Sequence, residues 1–386
     1  MSHEEATINE LAIELRRLGV RRIHTLAWRD LADPDSGGSE VHADEFSRRW
    51  SEAGLEVTHR TSGLAGRSAD HTRAGYRVVS RGGRMTVFPR TVVSEVLRRE
   101  GSFDALVEIW NGVPWMGPLW TRKPRIVFLH HVHGPMWDQI LPGPLAAFGR
   151  ALETRIAPPL YRRSLVLTPS DATREELIEI GFRSDRVRAI PNGVDETFQP
   201  GGTRSPTPLV VAVGRLAPVK RFELVIDAAI EARKRVPHLE LHIVGEGPER
   251  GMLERRIADA DAGNWITLLG RVDHANLVAL YRSAWVVTSA SLAEGWGLSL
   301  TEAAACETPA VASDIRGHRS SVVNGRTGVL VPVEGLGVAL AELLLDDERR
   351  LALAACAQAR AVTLTWDSVA AQMLSALVQE TRAWRR

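Results

Sequence analysis

Short apolar runs alternate with amphipathic stretches along most of the chain. RRIHTLAW predicts a strand ending near Trp28, followed by the polar, glycine-containing loop RDLADPDSGGSE. In the next stretch Ala43, Phe46, Trp50 and Ala53 share one helical face, and Gly54 is placed to end the helix. LEVTHRTS predicts a second strand. YRVVSRGGRMTVF predicts a hairpin turning at Gly82-Gly83, with a helix beginning near Arg90. FDALVEIW, RIVFLHHVH and SLVLTPS predict further strands. This alternation implies a mostly parallel sheet with helices on both faces.

The pattern breaks at PNGVDETFQPGGTRSPTP, whose Pro, Gly, Thr and Ser mark a linker. A second series follows, with strands in PLVVAVGRL, LELHIVGEG, WITLLGR, WVVTSA and PAVASD. The expectation is an α/β protein of two Rossmann-like, doubly wound domains, 1–198 and 205–364, facing a cleft. TWDSVAAQMLSALVQETRAW predicts a final amphipathic helix over 365–386. Ligands of doubly wound sheets bind beyond the carboxyl ends of the strands. Informative residues are therefore sought just after strands.

Composition narrows the class. A chain of 386 residues is too long for one ordinary core. Apolar residues make up 44% and charged residues 25%, as in soluble globular proteins. A formal charge of +1 supplies no field favouring nucleic acid. Cys306 and Cys356 lack metal-ligand spacing and read as small core residues in a reducing compartment. MSHEEATINE has no apolar region of a signal peptide, and no apolar run is long enough to span a bilayer. The expected location is cytoplasmic. Lysine occurs only at Lys123, Lys220 and Lys234; arginine supplies the rest of the 48 basic residues.

Three stretches carry candidate chemistry. In VAVGRLAPVKRF, Arg215 and Lys220 follow one strand and precede a helix, which suits a diphosphate; the plain alternative is two solvated cations. In a chain so biased to arginine, Lys220 hints at a need for a compact ammonium. In HIVGEGPER, the glycine pair that begins at Gly245 permits close backbone approach to a ligand, although Gly-Pro pairs also mark ordinary turns. No Gly-x-Gly-x-x-Gly follows the first strand of either domain, which disfavours a nicotinamide enzyme. In SLAEGWGLSLTEAAACETPAVASD, a helix starting near Leu298 would present the amides of Gly297, Leu298 and Ser299 to an anion. Glu294 and Glu302 flank that point. Eight helical residues rise roughly 12 Å, about the extent of a sugar-diphosphate-ribose unit. Carboxylates accept hydrogen bonds from sugar and ribose hydroxyls. Against this, glutamate is common in helices and the spacing alone can arise by chance.

Taken in order, GGSE, VGRLAPVKR, GEGPER, EGWGLSLTEAAACETPAVASD and NGRTGVLV resemble the GT-B retaining glycosyltransferases of family 4 over nearly the whole chain. The resemblance implies a nucleotide-sugar donor held mainly by the second domain, an acceptor read by the first, no obligate metal or other cofactor, and a C-terminal helix returning to the first domain. It implies that Arg215 and Lys220 neutralise the diphosphate. Glu302 would hold the ribose and Glu294 the donor sugar. Amides of Gly297 and Leu298 would face phosphate or sugar, within the run that also includes Gly295 and Trp296. Arg271 and Val272 match the position that contacts the base through backbone atoms. Gly37 and Gly38 match the glycine pair of a loop that closes on the diphosphate. Two positions depart from the pattern: Trp296 stands where phenylalanine is commoner, and Glu307 where glycine usually follows the cysteine.

FLHHVHG adds three histidines. Period-two alternation would put His131 and His133 on one strand face and His130 on the other. By resemblance His133 fits the histidine beside the donor sugar, where a neutral or protonated imidazole would bond a hydroxyl. Two other readings stand beside this one. His-x-His after a strand suits a zinc hydrolase, but that reading needs further ligands after other strands, and His24 and His242 fall within strands. A non-catalytic sugar-nucleotide-binding protein would keep the same binding residues. Asp33 to Asp35, DPD, reads as a turn. GPMWDQILPGPLAAFGRALETRIAPPLYRR mixes aromatic, apolar and basic residues; it reads as a packed amphipathic helix or as a membrane-surface contact shaping the acceptor side. The expected activity is transfer of a hexose from a nucleoside diphosphate to a hydroxyl acceptor, a small molecule, natural product or lipid or envelope glycan, with retention.

Overall fold

The computed structural model describes residues 6–386 apart from Ala65 and Arg67; the side chains of Pro135, Gln139 and Ile140 also lie outside the described residues. The first half of the acidic stretch MSHEEATINE is therefore outside them. The chain divides into two compact units: residues up to Gly193 together with Trp366–Arg386, and Val194–Thr365.

Among the described residues the first unit holds eight strands: β1 (Arg22–Leu26), β2 (Glu56–Thr61), β3 (Asp70–Arg73), β4 (Tyr76–Ser80), β5 (Ala105–Trp110), β6 (Arg125–Leu129), β7 (Leu165–Thr168) and β8 (Val187–Ala189). Their order is β3-β4-β2-β1-β5-β6-β7-β8. Among the described residues only the β3–β4 pair is antiparallel. β5 and β7 are buried at every position, as expected for strands covered on both faces. Edge strand β3, DHTR, is polar and partly exposed, which blunts the edge.

The hairpin lies one strand earlier than the glycine pair suggests. It turns at Ala74-Gly75, both at positive φ. Gly82-Gly83 instead leads into the helix Val87–Val96, with Thr86 Oγ1 accepting from the Gly83 amide. β6 also stops at Leu129, so the histidines of FLHHVHG occupy the loop beyond it rather than strand faces. Asp33 makes the turn read from DPD: its carboxylate accepts from the Asp35 amide at 2.8 Å.

The final helix, Trp366–Arg385, packs on the helices Ile8–Arg17 and Gly38–Glu52. Trp50 donates its indole N–H to the Ala370 carbonyl at 2.9 Å. The unit boundary falls at Val194, within the stretch PNGVDETFQPGGTRSPTP. Val194 and Phe198 are apolar and bury into the second unit's core, drawing the start of that segment with them.

The second unit holds β9 (Leu209–Val213), β10 (Glu240–Val244), β11 (Ile266–Gly270), β12 (Val286–Ser289), β13 (Ala310–Ser313) and β14 (Gly328–Val331), all parallel. The order β11-β10-β9-β12-β13-β14 reverses direction between β9 and β12, the switch point where a Rossmann sheet takes its ligand. One face packs under the helices Phe222–Arg233 and Leu336–Leu345. The other packs under His274–Ser283 and Leu298–Ala305. Cys306 is buried here, whereas Cys356 is exposed, because its position on the helix Asp347–Ala361 turns away from the face that buries Leu353, Ala354 and Ala357.

Candidate active site

Four adjacent strands of the second unit deliver the predicted residues to one end of the sheet. Arg271 and Val272 follow β11, Gly245 follows β10, Gly214 and Arg215 follow β9, and the Ala290–Gly297 loop follows β12. Backbone bonds stitch these loops together. The Leu216 amide donates to the Glu246 carbonyl at 3.0 Å, the Gly245 amide to the Gly270 carbonyl at 2.8 Å, and the Leu292 amide to the Val219 carbonyl at 2.8 Å. The Gly-x-Gly pair serves this contact. A Cβ at Gly245 would lie 1.9 Å from the Gly214 carbonyl oxygen, and one at Gly247 would lie 2.2 Å from that of Leu216. The close approach admitted by these glycines is between neighbouring loops.

Lys220 ends a short 3-10 turn, Pro218–Lys220, and forms an ion pair with Glu294 from the loop after β12. Arg215, exposed, stands on the same loop as Lys220. Ser291 Oγ donates to Glu294 at 2.8 Å. Burial pushes the Glu294 carboxyl up, but the charges of Lys220 and His318, with the hydrogen bonds, outweigh it and hold the group below its ordinary range. Glu294 is thus a compensated carboxylate.

His318, fully buried beyond β13, escaped the sequence reading. Its Nδ1 donates to the Ser313 carbonyl at 2.8 Å, and its Nε2 lies 3.3 Å from Ser289 Oγ. At Gly317 a Cβ would lie 2.1 Å from the Glu294 carbonyl oxygen, so the two loops meet through glycine. RGHRS just after a predicted strand was the available signal. Arg221 was also missed. It sits at φ +50° and donates to the Ala290 and Ser291 carbonyls at 2.7 and 2.9 Å, which fixes the loop carrying Glu294.

Gly297 caps the helix Leu298–Ala305 at φ +97°, a left-handed conformation that favours glycine. A helix start leaves its first amides without intrahelical partners, which in general suits an anion. Glu302, on the second turn, accepts from Tyr281 Oη at 3.0 Å. Burial pushes its carboxyl up to about 7, against the Tyr281 bond, with Asp195 adding to the rise. The two glutamates therefore titrate in opposite directions. The Trp296 ring is buried and has the Arg360 guanidinium 5.9 Å from its centroid, so the departure from phenylalanine is accommodated by packing. Glu307 sits at φ +62°, where glycine would be unstrained, and its carbonyl accepts from Arg204.

In the first unit, Gly37 precedes the helix Gly38–Glu52 in extended backbone, and its amide donates to Glu40 at 2.7 Å. His133 is buried in the loop beyond β6. Its ring stacks on His131 at 4.4 Å and lies 4.9 Å from the Trp137 ring. Burial, reinforced by His131, pushes the His133 imidazole well below its ordinary value, so its resting form is neutral. His24 and His242 do lie within β1 and β10; His24 pairs with buried Glu95 at 2.7 Å. Among the described residues no group of three His, Cys, Asp or Glu is placed to hold a metal ion.

The family model for glycosyl transferases group 1 matches residues 194–360, and that for glycosyltransferase family 4 matches 36–198. A GDP-mannose-dependent alpha-(1-6)-phosphatidylinositol monomannoside mannosyltransferase of Mycolicibacterium smegmatis is 30% identical, over 73% of this chain and 78% of that protein. The chain belongs to glycosyltransferase family 4. A D-inositol 3-phosphate glycosyltransferase of Kribbella flavida is 28% identical over 94% of this chain and 95% of its own length. The fold of this glycosyltransferase matches sucrose-phosphate synthase from Thermosynechococcus elongatus at TM-score 0.80 and 21% identity, covering 94% of this chain and 100% of that one. Anabaena HepE in complex with UDP and glucose matches at TM-score 0.72 and 19% identity, covering 93% and 100%. Both α/β units are thus those of a GT-B glycosyltransferase, an enzyme acting on a nucleoside-diphosphate-sugar donor.

Proposed function

We propose that this glycosyltransferase moves a hexose from its nucleoside diphosphate to a hydroxyl acceptor, with retention and without a divalent ion. The observation that carries the reading is the Lys220–Glu294 pair, set beside a helix N-terminus at the switch point of the second sheet. On donor binding, Lys220 and Arg215 neutralise the diphosphate, and the amides of Gly297 and Leu298 meet phosphate or sugar. Glu294 takes the sugar hydroxyls. Glu302 takes the ribose hydroxyls. Arg271 and Val272 offer backbone to the base, and Gly245, Gly295 and Trp296 shape the donor side. In the first unit, which reads the acceptor, Gly37 and Gly38 are assigned to the diphosphate and His133 to the donor sugar by their match to the family motifs.

Glu294 is engaged by Lys220 and Ser291, which suits holding hydroxyls better than attacking carbon. Same-face attack, with the leaving phosphate taking the acceptor proton, then accounts for retention. Diphosphate neutralisation supplies much of the rate. The relative named for GDP-mannose and the neighbour holding UDP support a hexose on either base.

The reading places the enzyme in the cytoplasm, with its acceptor at a membrane surface. Leu145, Phe148 and Ile156 are exposed on the same helical run that exposes Arg155 and leads into exposed Arg162 and Arg163, while Ala146, Gly149 and Leu152 are buried. Among the described residues no helix is long and apolar enough to cross a membrane.

A thermal-shift screen of nucleoside diphosphates and nucleotide sugars in EDTA tests the proposal. One base should raise the melting temperature; saturation at a hundred times Kd corresponds to about 2.7 kcal/mol. A shift that appears only with added metal would refute the metal-free diphosphate site.

A further inference from the structure

The first unit contains a buried carboxylate that the reading above does not use. Glu153, 1% exposed, lies in a π-helical turn, Leu152–Ile156, within the helical run Gly143–Tyr161. Single π turns widen a helix locally and recur at functional sites. Thr154, Arg155 and Ile156 face solvent while Glu153 faces inward. Its Oε1 accepts the backbone N–H of His133 at 2.8 Å, and its Oε2 that of Gly134 at 2.9 Å. The Trp137 indole N–H reaches Oε2 at 3.3 Å. One turn earlier, Gly149 leaves room for that indole: a Cβ there would lie 2.6 Å from the Trp137 ring.

Both oxygens of one carboxylate thus hold consecutive amides of the loop beyond β6. The His133 ring is held within its own loop: the His131 backbone bonds the imidazole, which stacks on the His131 ring and lies beside Trp137. Gly112, at φ +87°, completes the seat; a Cβ there would lie 3.4 Å from His133 Nε2.

We propose that Glu153 is the positioning residue for His133: it fixes the backbone from which the imidazole is presented to the donor sugar. This rests on the role given to His133 above. The chemistry requires a carboxylate, because glutamine would turn an N–H₂ donor toward one of the two amides.

The test uses full-length protein labelled with ¹⁵N-histidine, with the His133 signals assigned by their loss in His133→Ala. Turnover is nucleoside diphosphate release from UDP-glucose or GDP-mannose, whichever the wild type cleaves faster. Glu153→Gln should move the His133 amide and ring signals and leave those of His238 in place. Turnover should fall roughly tenfold to a hundredfold, as for a misplaced reacting group, with nucleoside diphosphate affinity unchanged. On the His133→Ala background the same change should add less than about twofold, the non-additivity of coupled residues. A folded Glu153→Gln protein with wild-type His133 signals overturns the inference. So does wild-type turnover in Glu153→Gln when His133→Ala is impaired. If His133→Ala itself keeps full turnover, the role of His133 fails first, and the inference with it. Should Glu153→Gln melt below the assay temperature, Glu153→Asp keeps the carboxylate but shortens its reach to the two amides. It should shift the same signals and lower turnover by a smaller factor; unchanged signals and turnover would overturn the clamp.

Discussion

Beyond β9 and β12 of the second unit, two loops meet through a cation and an anion, Lys220 and Glu294, with Ser291 and His318 around them. Beyond β6 of the first unit, the chain meets the helix Gly38–Glu52 through imidazoles. The His42 and His130 rings lie 5.1 Å apart, and their nitrogens are buried without hydrogen-bond partners among the described residues. Burial acts on both regions and gives opposite results. Where an opposite charge is at hand, the carboxylate stays ionised below its ordinary range. Where none is, burial drives His42 down to about 3 and His130 well below its ordinary value, and both stay neutral. One region keeps a compensated charge; the other keeps His42 and His130 neutral.

The strongest way to break this contrast is Lys220→Met. It removes a cation from the diphosphate and leaves Glu294 without its compensating charge. Turnover of the nucleotide sugar should fall by about 2.7–4 kcal/mol in transition-state stabilisation, read from kcat/KM. Lys220→Arg retains the charge but not its shape, and calorimetry with nucleoside diphosphate should show weaker binding.

The two glutamates sharpen the contrast within one region. Glu302→Ala should weaken both nucleoside diphosphate and nucleotide sugar by about 1.5–3 kcal/mol, whereas Glu294→Ala should leave diphosphate binding nearly intact and depress transfer. Calorimetry with each ligand separates them. Wild-type binding by both folded variants would end the two-ended clamp.

Titration gives a further arm. Glu302 binds its proton more tightly folded than unfolded, with a carboxyl near 7 against an ordinary value of 4.5. Its stabilising contribution is therefore complete below pH 4.5 and is lost as pH rises through 7. Glu302→Gln removes that loss. Unliganded Glu302→Gln should be more stable than wild type at pH 8, by on the order of 1–3 kcal/mol, and equal to it near pH 4 by urea denaturation. His42 slopes the other way, losing stability as pH falls below about 6.5.

The smallest expected effect lies outside both regions. Glu307→Gly relieves a left-handed backbone and should raise stability by about 0.5–1 kcal/mol, seen as a higher melting temperature with unchanged turnover.

Sequence alone determined the two alternating series, the positions just after strands at which Arg215, Lys220 and Glu294 stand, and the helix turn that carries Glu302. Periodicity and turn residues are local properties, and the motif run is nearly contiguous. The helix start at Leu298 was legible because Gly297 and the apolar pattern mark it together. Other features depended on partners distant in the chain. Lys220 and Glu294 are 74 residues apart, and nothing local says that they pair. Their opposite partners also separate the two glutamates: a cation for Glu294, a phenol for Glu302. The glycine pair at Gly82 looked like a hairpin because turn chemistry is shared by hairpins and helix entries. Arg221 and Glu153 were invisible because each acts through backbone groups supplied by another loop; RGHRS marked His318 only by its place after a strand, and its tie to Ser289 and Glu294 crosses between loops. Tertiary structure decided which charges are compensated, since burial and the distance to an opposite charge exist only once the strands are side by side.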